Sequence, residues 1–246
     1  MVGSLLLRGM IVGLLAGILV FAFAKTFGEP MVDRAIAFEE QESAAKGEVA
    51  EPEIVSRATQ ASTGLATGAL FFSTAAGGIF SLVFAYVYGR IGTLRARATS
   101  ALLALGAFVS IVLVPQIKYP ANPPAVGNPD TIGSRTELFF IMIVLSIAAL
   151  CLAVGLARRL WAQYGGWNAC MISAIAFIVV IAVIQLLLPT VNEVPDNFSA
   201  VVLWRFRTVS IGMHVILWTV LGFVFGALAE KALESGQQRG LAHAAR

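Results

Sequence analysis

Few side chains in this 246-residue sequence can do chemistry, and most of those that can are carboxylates. Glu29, Asp33 and Glu40 stand at positions that fall on roughly one face of a helix. Glu193 and Asp196 form a second acidic group, and His214 is the one imidazole set inside an apolar stretch. Carboxylate oxygens hold divalent cations, and imidazole adds affinity for cobalt, nickel or zinc, so these residue types together offer reversible cation coordination. A solvated acidic face and a hydrogen-bonded interior histidine would account for the same residues.

Other chemistry has no foothold. The sequence contains no GxxxxGK[ST] phosphate loop, no HExxH, no GxSxG elbow and no histidine-rich tract, so no ATPase on this chain drives any transport and no catalytic residue is assigned. Cys151 and Cys170 both lie within or at the edge of apolar stretches, where they read as small packing residues rather than a disulfide or a metal pair. A net charge of +3 comes from basic residues scattered singly, a pattern that does not suggest nucleic-acid binding.

The elements that must position these side chains are membrane spans. Hydrophobic residues make up 58% of the chain and charged residues 13%, with a mean hydropathy of +0.84. Six apolar stretches, at about 5–27, 64–88, 98–115, 138–157, 168–188 and 210–229, each approach the roughly 20 residues a helix needs to cross a bilayer. Lipid offers no partner to backbone amides, and the stretches lack the alternation of barrel strands. The sequence therefore predicts an all-α, polytopic integral membrane helical bundle of about six transmembrane helices in three hairpins, forming a single domain over 1–246 and in contact with membrane lipids.

Sidedness follows from the connections. With the amino terminus inside, the inner segments hold Arg8, Arg90, Arg95, Arg97, Arg158, Arg159, Lys231, Arg239 and Arg246 against only Glu230 and Glu234. Arg90, Arg95, Arg97, Arg158 and Arg159 lie in short loops close to span ends, where the positive-inside rule weighs most, which places both termini in the cytoplasm. The first stretch ends in Ala22, Phe23 and Ala24 and so also fits a signal peptide cut before Lys25. Against cleavage, Gly9, Gly13 and Gly17 recur every four residues and give one face that suits a retained helix packed closely on a neighbour.

Polar character gathers in the outer loops. Pro30 and Gly47 bracket a short extracytoplasmic helix from about Pro30 to Lys46, and the segment from Pro52 onward is expected to run into the second span as one helix. Between Lys118 and Asp130, Pro120, Pro123, Pro124 and Pro129 forbid regular structure and favour one fixed loop shape, a lid, a rim or a plain cap. The third outer loop leads into Trp204, Arg205, Phe206 and Arg207, residues suited to the membrane interface. Two arginines one residue apart point to different sides of a helix, so one of Arg205 and Arg207 can turn toward the acidic loops. The second and third hairpins share a pattern: a proline closing the outgoing span, another five or six residues on, then an arginine before the return span, Arg135 or Arg207. That pattern suggests weak internal duplication. His243 falls in a polar tail expected to be disordered.

Several of these segments together resemble the CbtA family of predicted bacterial cobalt transporter subunits. They are Gly28-Glu29-Pro30 with Asp33, Ala35 and Ile36; the run Lys118-Tyr119-Pro120-Ala121-Asn122-Pro123-Pro124-Ala125-Val126-Gly127, the most specific part; and Asn197-Phe198 followed by Trp204, Phe206-Arg207 and Ser210. The resemblance covers essentially the whole chain. It implies a cytoplasmic-membrane protein engaged in cobalt uptake for cobalamin synthesis, with a small single-span, histidine-bearing partner of the CbtB type. Members of the family are commonly described with five spans, one fewer than the apolar stretches counted above. The expectation for mechanism is that Co2+, as cargo rather than a permanently bound cofactor, collects near Glu29, Asp33 and Glu40. It then passes beneath the proline-rich loop and meets His214 with Glu193 or Asp196. The alternative is a scaffold that does not transport and only positions a metal-binding partner.

Overall fold

The computed structural model describes residues 2–47, 54–90, 92–124, 126–127 and 131–244, with side chains as far as Ser235. Five helices are long and apolar enough to cross a membrane: α1 Val2–Lys46, α2 Arg57–Val87, α3 Ala96–Lys118, α4 Ile132–Leu187 and α5 Ala200–Ser235. There is no strand among the described residues.

Two corrections to the expected boundaries have a common cause. The short outer helix is not separate: α1 continues through Pro30 to Lys46, because a π-helical turn at Ala24–Gly28 lies just ahead of the proline. A proline ring inside an α-helix collides with the carbonyl four residues back, and the wider π turn relieves that crowding without ending the helix. The same device recurs in α3, where a π turn at Phe108–Leu113 comes just before Pro115 and the helix runs on to Lys118. Gly47 then stops α1 in the left-handed conformation (φ 72°), its N–H bonded to the Ser43 and Ala44 carbonyls. Helix α2 starts at Arg57 behind the Ser56 cap, and Pro52, its expected start, lies outside the described residues. At the other end of the chain the helix continues through Ala244, where a disordered tail was expected.

The fourth and fifth expected spans are joined without an intervening loop. Over the 56 residues of Ile132–Leu187 the helical backbone is interrupted only at Gly165 (φ 73°, ψ 162°), where two helices meet at a kink. A straight helix of that length would extend about 84 Å at 1.5 Å per residue. Instead Arg135, near its start, lies 3.0 Å from Glu193, just beyond its end. The element is therefore folded back on itself at Gly165, and its two arms stand where the two spans were predicted. Met142 and Ala149 of one arm share a buried cluster with Ile181 of the other and with Val114 and Tyr119 from the end of α3.

Helices α1 and α2 lie in the closest contact in the bundle. Gly9, Gly13 and Gly17 face Ser81, Gly77, Ser73 and Ala69, as the four-residue glycine spacing predicts. A Cβ placed on Gly77 would come 2.9 Å from the Gly13 Cα, so no larger residue fits at this crossing. In lipid there is no hydrophobic gain from helix association, and backbone-close contact of small residues supplies the attraction. Phe80 and Phe84 of α2 meet Phe225 of α5 edge to face, at centroid distances of 5.5 and 5.2 Å. Helix α3 lies against α5 through Ser100 and Ala104 at Gly222 and Gly226, and Arg97 pairs with Glu230 at 2.9 Å. Cys151 and Cys170 are free and exposed on the surface of α4 rather than used in its interior.

Candidate functional site

The described residues of the polar segments at the end of α1, after α3 and before α5 meet at one end of the bundle. The outer turns of α1 give Met31 and Ala35 to a buried cluster with Val126 of the proline-rich loop and Phe198 and Val202 at the start of α5. Asn197 donates to Glu42 at 2.7 Å, joining the third loop to α1. The three outer loops thus converge. Within that convergence two carboxylate–guanidinium groups form, and they are built differently.

The first borders a cleft. Glu29 and Asp33, one turn apart on α1, are both held by Arg57 in the first turn of α2. The guanidinium reaches the Glu29 carboxylate and lies 2.8 Å from Asp33 Oδ1. Glu29 has 12% of its side chain exposed, Arg57 25% and Asp33 62%, so the group is open to water on the Asp33 side. Beneath it a cleft of about 540 Å³ runs between α1, α2 and α5. Glu29, Gln60, Ser210 and His214 line it, with Val20, Phe72 and Leu217 among its apolar walls. Gln60 and Gly64 reach the wall because a π-helical turn at Gln60–Gly64 opens α2 there. Lys25, in the matching π turn of α1, donates to the Ala61 carbonyl at 2.8 Å and fastens the two turns together. π turns of this kind recur at functional sites because they displace one side chain from the helical register.

The second group is closed. Glu193 has 1% of its side chain exposed; it accepts from Arg135 Nη1 at 3.0 Å and from Thr131 Oγ1 at 2.7 Å. Arg135 also donates to the Pro120 carbonyl. From α5, Arg207 donates to the Ala121 carbonyl at 3.1 Å and to Asn122 Oδ1 at 3.0 Å, while the Tyr119 hydroxyl donates to the Pro189 carbonyl at 2.7 Å. Burial pushes the Tyr119 phenol above the ordinary tyrosine range. Proline-rich backbone has few N–H groups of its own, so its carbonyls must find side-chain donors. Arg135 and Arg207 supply them at Pro120 and Ala121; residues 125 and 128–130 of the loop lie outside the described residues.

Glu29 and His214 therefore share a cleft that Asp33 borders, whereas Glu193 lies in the clasp and does not line the cleft. Glu40 and Asp196 are exposed, Glu40 about 10 Å further along α1 than Asp33 by helical rise. None of Lys118, Tyr119 and Asn122 lines the cleft. Of the two neighbouring arginines Arg207 turns inward, toward neutral acceptors rather than acids, and Arg205 is exposed. Among the described residues no three His, Cys, Asp or Glu side chains are grouped closely enough to hold a metal ion. Arg57, Gln60 and Ser210 went unassigned in the sequence. Arg57 could have been found, because it is the one basic residue between Lys46 and Arg90 and the Glu29–Asp33 pair needs a counter-charge.

No curated protein and no solved structure matches the chain. A family model described as "Probable cobalt transporter subunit (CbtA)" matches residues 2–230. With nearly its whole length matched, the chain belongs to the CbtA family of probable cobalt transporter subunits.

Proposed function

We propose that this protein is the multi-span subunit of a cobalt uptake system in the bacterial cytoplasmic (inner) membrane, with both termini in the cytoplasm and the metal destined for cobalamin synthesis. The observation that carries the reading is the cleft between α1, α2 and α5, which places a carboxylate, Glu29, and the one imidazole within a span, His214, on the same walls. Ionisable side chains at such depth are costly and are kept where they serve a path through the bundle. Glu40, Asp33 and Asp196 on the outer surface attract the divalent ion, and Glu29 takes it at the mouth. His214 with Gln60 and Ser210 then gives it polar partners between apolar walls. Few and mostly oxygen ligands hold an ion loosely enough to let it leave, as conduction requires. Co2+ is cargo, and the chain holds no cofactor permanently. The clasped loop, with Glu193 inside it, keeps the outer ends of the helices in register.

A small single-span partner of the CbtB type, bearing histidines, supplies the softer ligands of which this chain has few. The scarcity of grouped ligands also favours a second reading, in which the chain only anchors that partner. Cobalt accumulation in cells lacking other uptake routes separates the two. On the transport reading, Glu29→Ala with His214→Ala abolishes accumulation while the protein and its partner stay in the membrane. Unchanged accumulation in that double variant rejects the assigned path and leaves the scaffold.

A further inference from the structure

The cleft mouth already contains a cation. Arg57 bridges Glu29 and Asp33, and the Glu29 carboxylate that it holds is the one lining the cleft above His214. Arg57 holds Glu29 Oε2, so a metal ion that takes both oxygens of this carboxylate must displace that guanidinium. We infer that Arg57 is a specificity-determining residue, a tethered competitor that bars monovalent cations from the mouth and yields to divalent ones. The inference rests on the transport reading above and assigns the residue that sets its charge selectivity.

Three features support the exchange. Coulomb attraction scales with the product of charges, so replacing a guanidinium by a singly charged ion gains nothing at Glu29, whereas a doubly charged ion doubles the attraction. The guanidinium is also tethered and grips both carboxylates through charge-assisted hydrogen bonds, a combination that a strongly hydrated monovalent ion does not reproduce even at about 0.15 M. Finally, the displaced side chain has somewhere to go. Asp33 is 62% exposed and accepts from Arg57 Nε at 3.0 Å as well as from Nη2. Arg57 can therefore release Glu29 and remain paired at the rim, in water, without leaving a buried charge unpaired. Lysine would not do this equally, since a point charge lacks the forked donors that grip two carboxylates at once.

The test measures cobalt uptake by the full-length protein with its partner, in cells or vesicles, with about 0.15 M sodium chloride and, separately, choline chloride of equal strength, which screens charge to the same extent. Choline is too bulky to coordinate a carboxylate, so the ratio of the two rates isolates occupancy of the mouth by sodium. In the wild type the ratio is expected to be close to one. In Arg57→Gln sodium is expected to slow uptake about tenfold relative to choline, because Glu29 then takes whichever cation is abundant. An Arg57→Gln protein that is inserted and active with a ratio near one overturns the inference and leaves the transport reading intact. Wild-type protein that takes up no cobalt overturns both. If the glutamine variant is not inserted, Arg57→Lys decides: its single-point grip is expected to lower the apparent KM for cobalt several-fold, and an unchanged KM overturns the inference.

Discussion

Two glutamates meet two arginines at one end of this bundle, and their surroundings differ. Glu193 is sealed, with 1% of its side chain exposed, and Arg135 and Thr131 occupy its oxygens. Glu29 shares its guanidinium with an exposed Asp33 and opens onto a cleft. A buried pair of the first kind cannot exchange its partner without stranding a charge in a low-dielectric site. The second kind is open at one member only: water and ions screen the Arg57–Asp33 half, where Asp33 is 62% exposed, and Arg57 can stay paired there when Glu29 changes its partner. On the transport reading proposed above, the same two side-chain types make a fastener at one place and an exchangeable site at the other, with exposure deciding which.

The largest expected effect comes from breaking the fastener. Glu193→Ala leaves Arg135 facing the Pro120 carbonyl without its carboxylate and removes one acceptor of Thr131 Oγ1. Removing one member of a buried pair costs about 3–5 kcal/mol, and the 21% exposure of Arg135 places this case near the lower bound. Thermal unfolding in detergent and proteolysis of the proline-rich loop should both show it. Loss of cobalt uptake in this variant should follow the loss of folded protein and no more.

The opposite result is expected at the cleft. Glu29→Gln should change stability by only about 1 kcal/mol, because the amide oxygen still accepts from Arg57 and Arg57 keeps its pair with Asp33. Cobalt uptake should nevertheless fall at least about tenfold, which corresponds to roughly 1.4 kcal/mol of lost attraction. A large stability loss with proportionate uptake loss would make Glu29 a second fastener and erase the contrast. A smaller effect is expected from Asp33→Asn: with 62% of the side chain in water it should leave folding unaltered and raise the KM for cobalt only a few-fold.

The spans were legible because lipid imposes one requirement on every residue of a crossing helix, and apolar runs announce it. The α1–α2 contact was legible too, since Gly9, Gly13 and Gly17 encode a backbone-close face in their spacing alone. The continuity of α1 past Pro30 and of α3 past Pro115 was not, because a π turn depends on how neighbouring turns accommodate a proline and carries no composition of its own. Pairing across the outer surface was least legible. Arg57 lies 28 residues beyond Glu29, and Arg135 lies 58 residues before Glu193. At such separations the bundle's geometry selects the partners, and the sequence offers only candidates of the right charge.

The smallest expected effect sharpens the account of the fastener through pH. Tyr119, just past the end of α3, donates its hydroxyl proton to the Pro189 carbonyl, and burial raises its pKa. A phenolate can neither donate that bond nor be buried cheaply, so the folded state favours the protonated form. With the folded pKa above the ordinary value of about 10, this contribution is complete below pH 10 and is lost as the pH climbs through the folded value. Tyr119→Phe removes the bond and should cost about 1 kcal/mol at neutral pH. It should also remove part of the fall in stability that the wild type shows above pH 10. Comparing the two proteins across that range isolates this one group from the other tyrosines and the lysines, which titrate alike in both. Curves that stay parallel would mean that Tyr119 holds the loop by its ring alone, and that Arg135 and Arg207 carry the clasp.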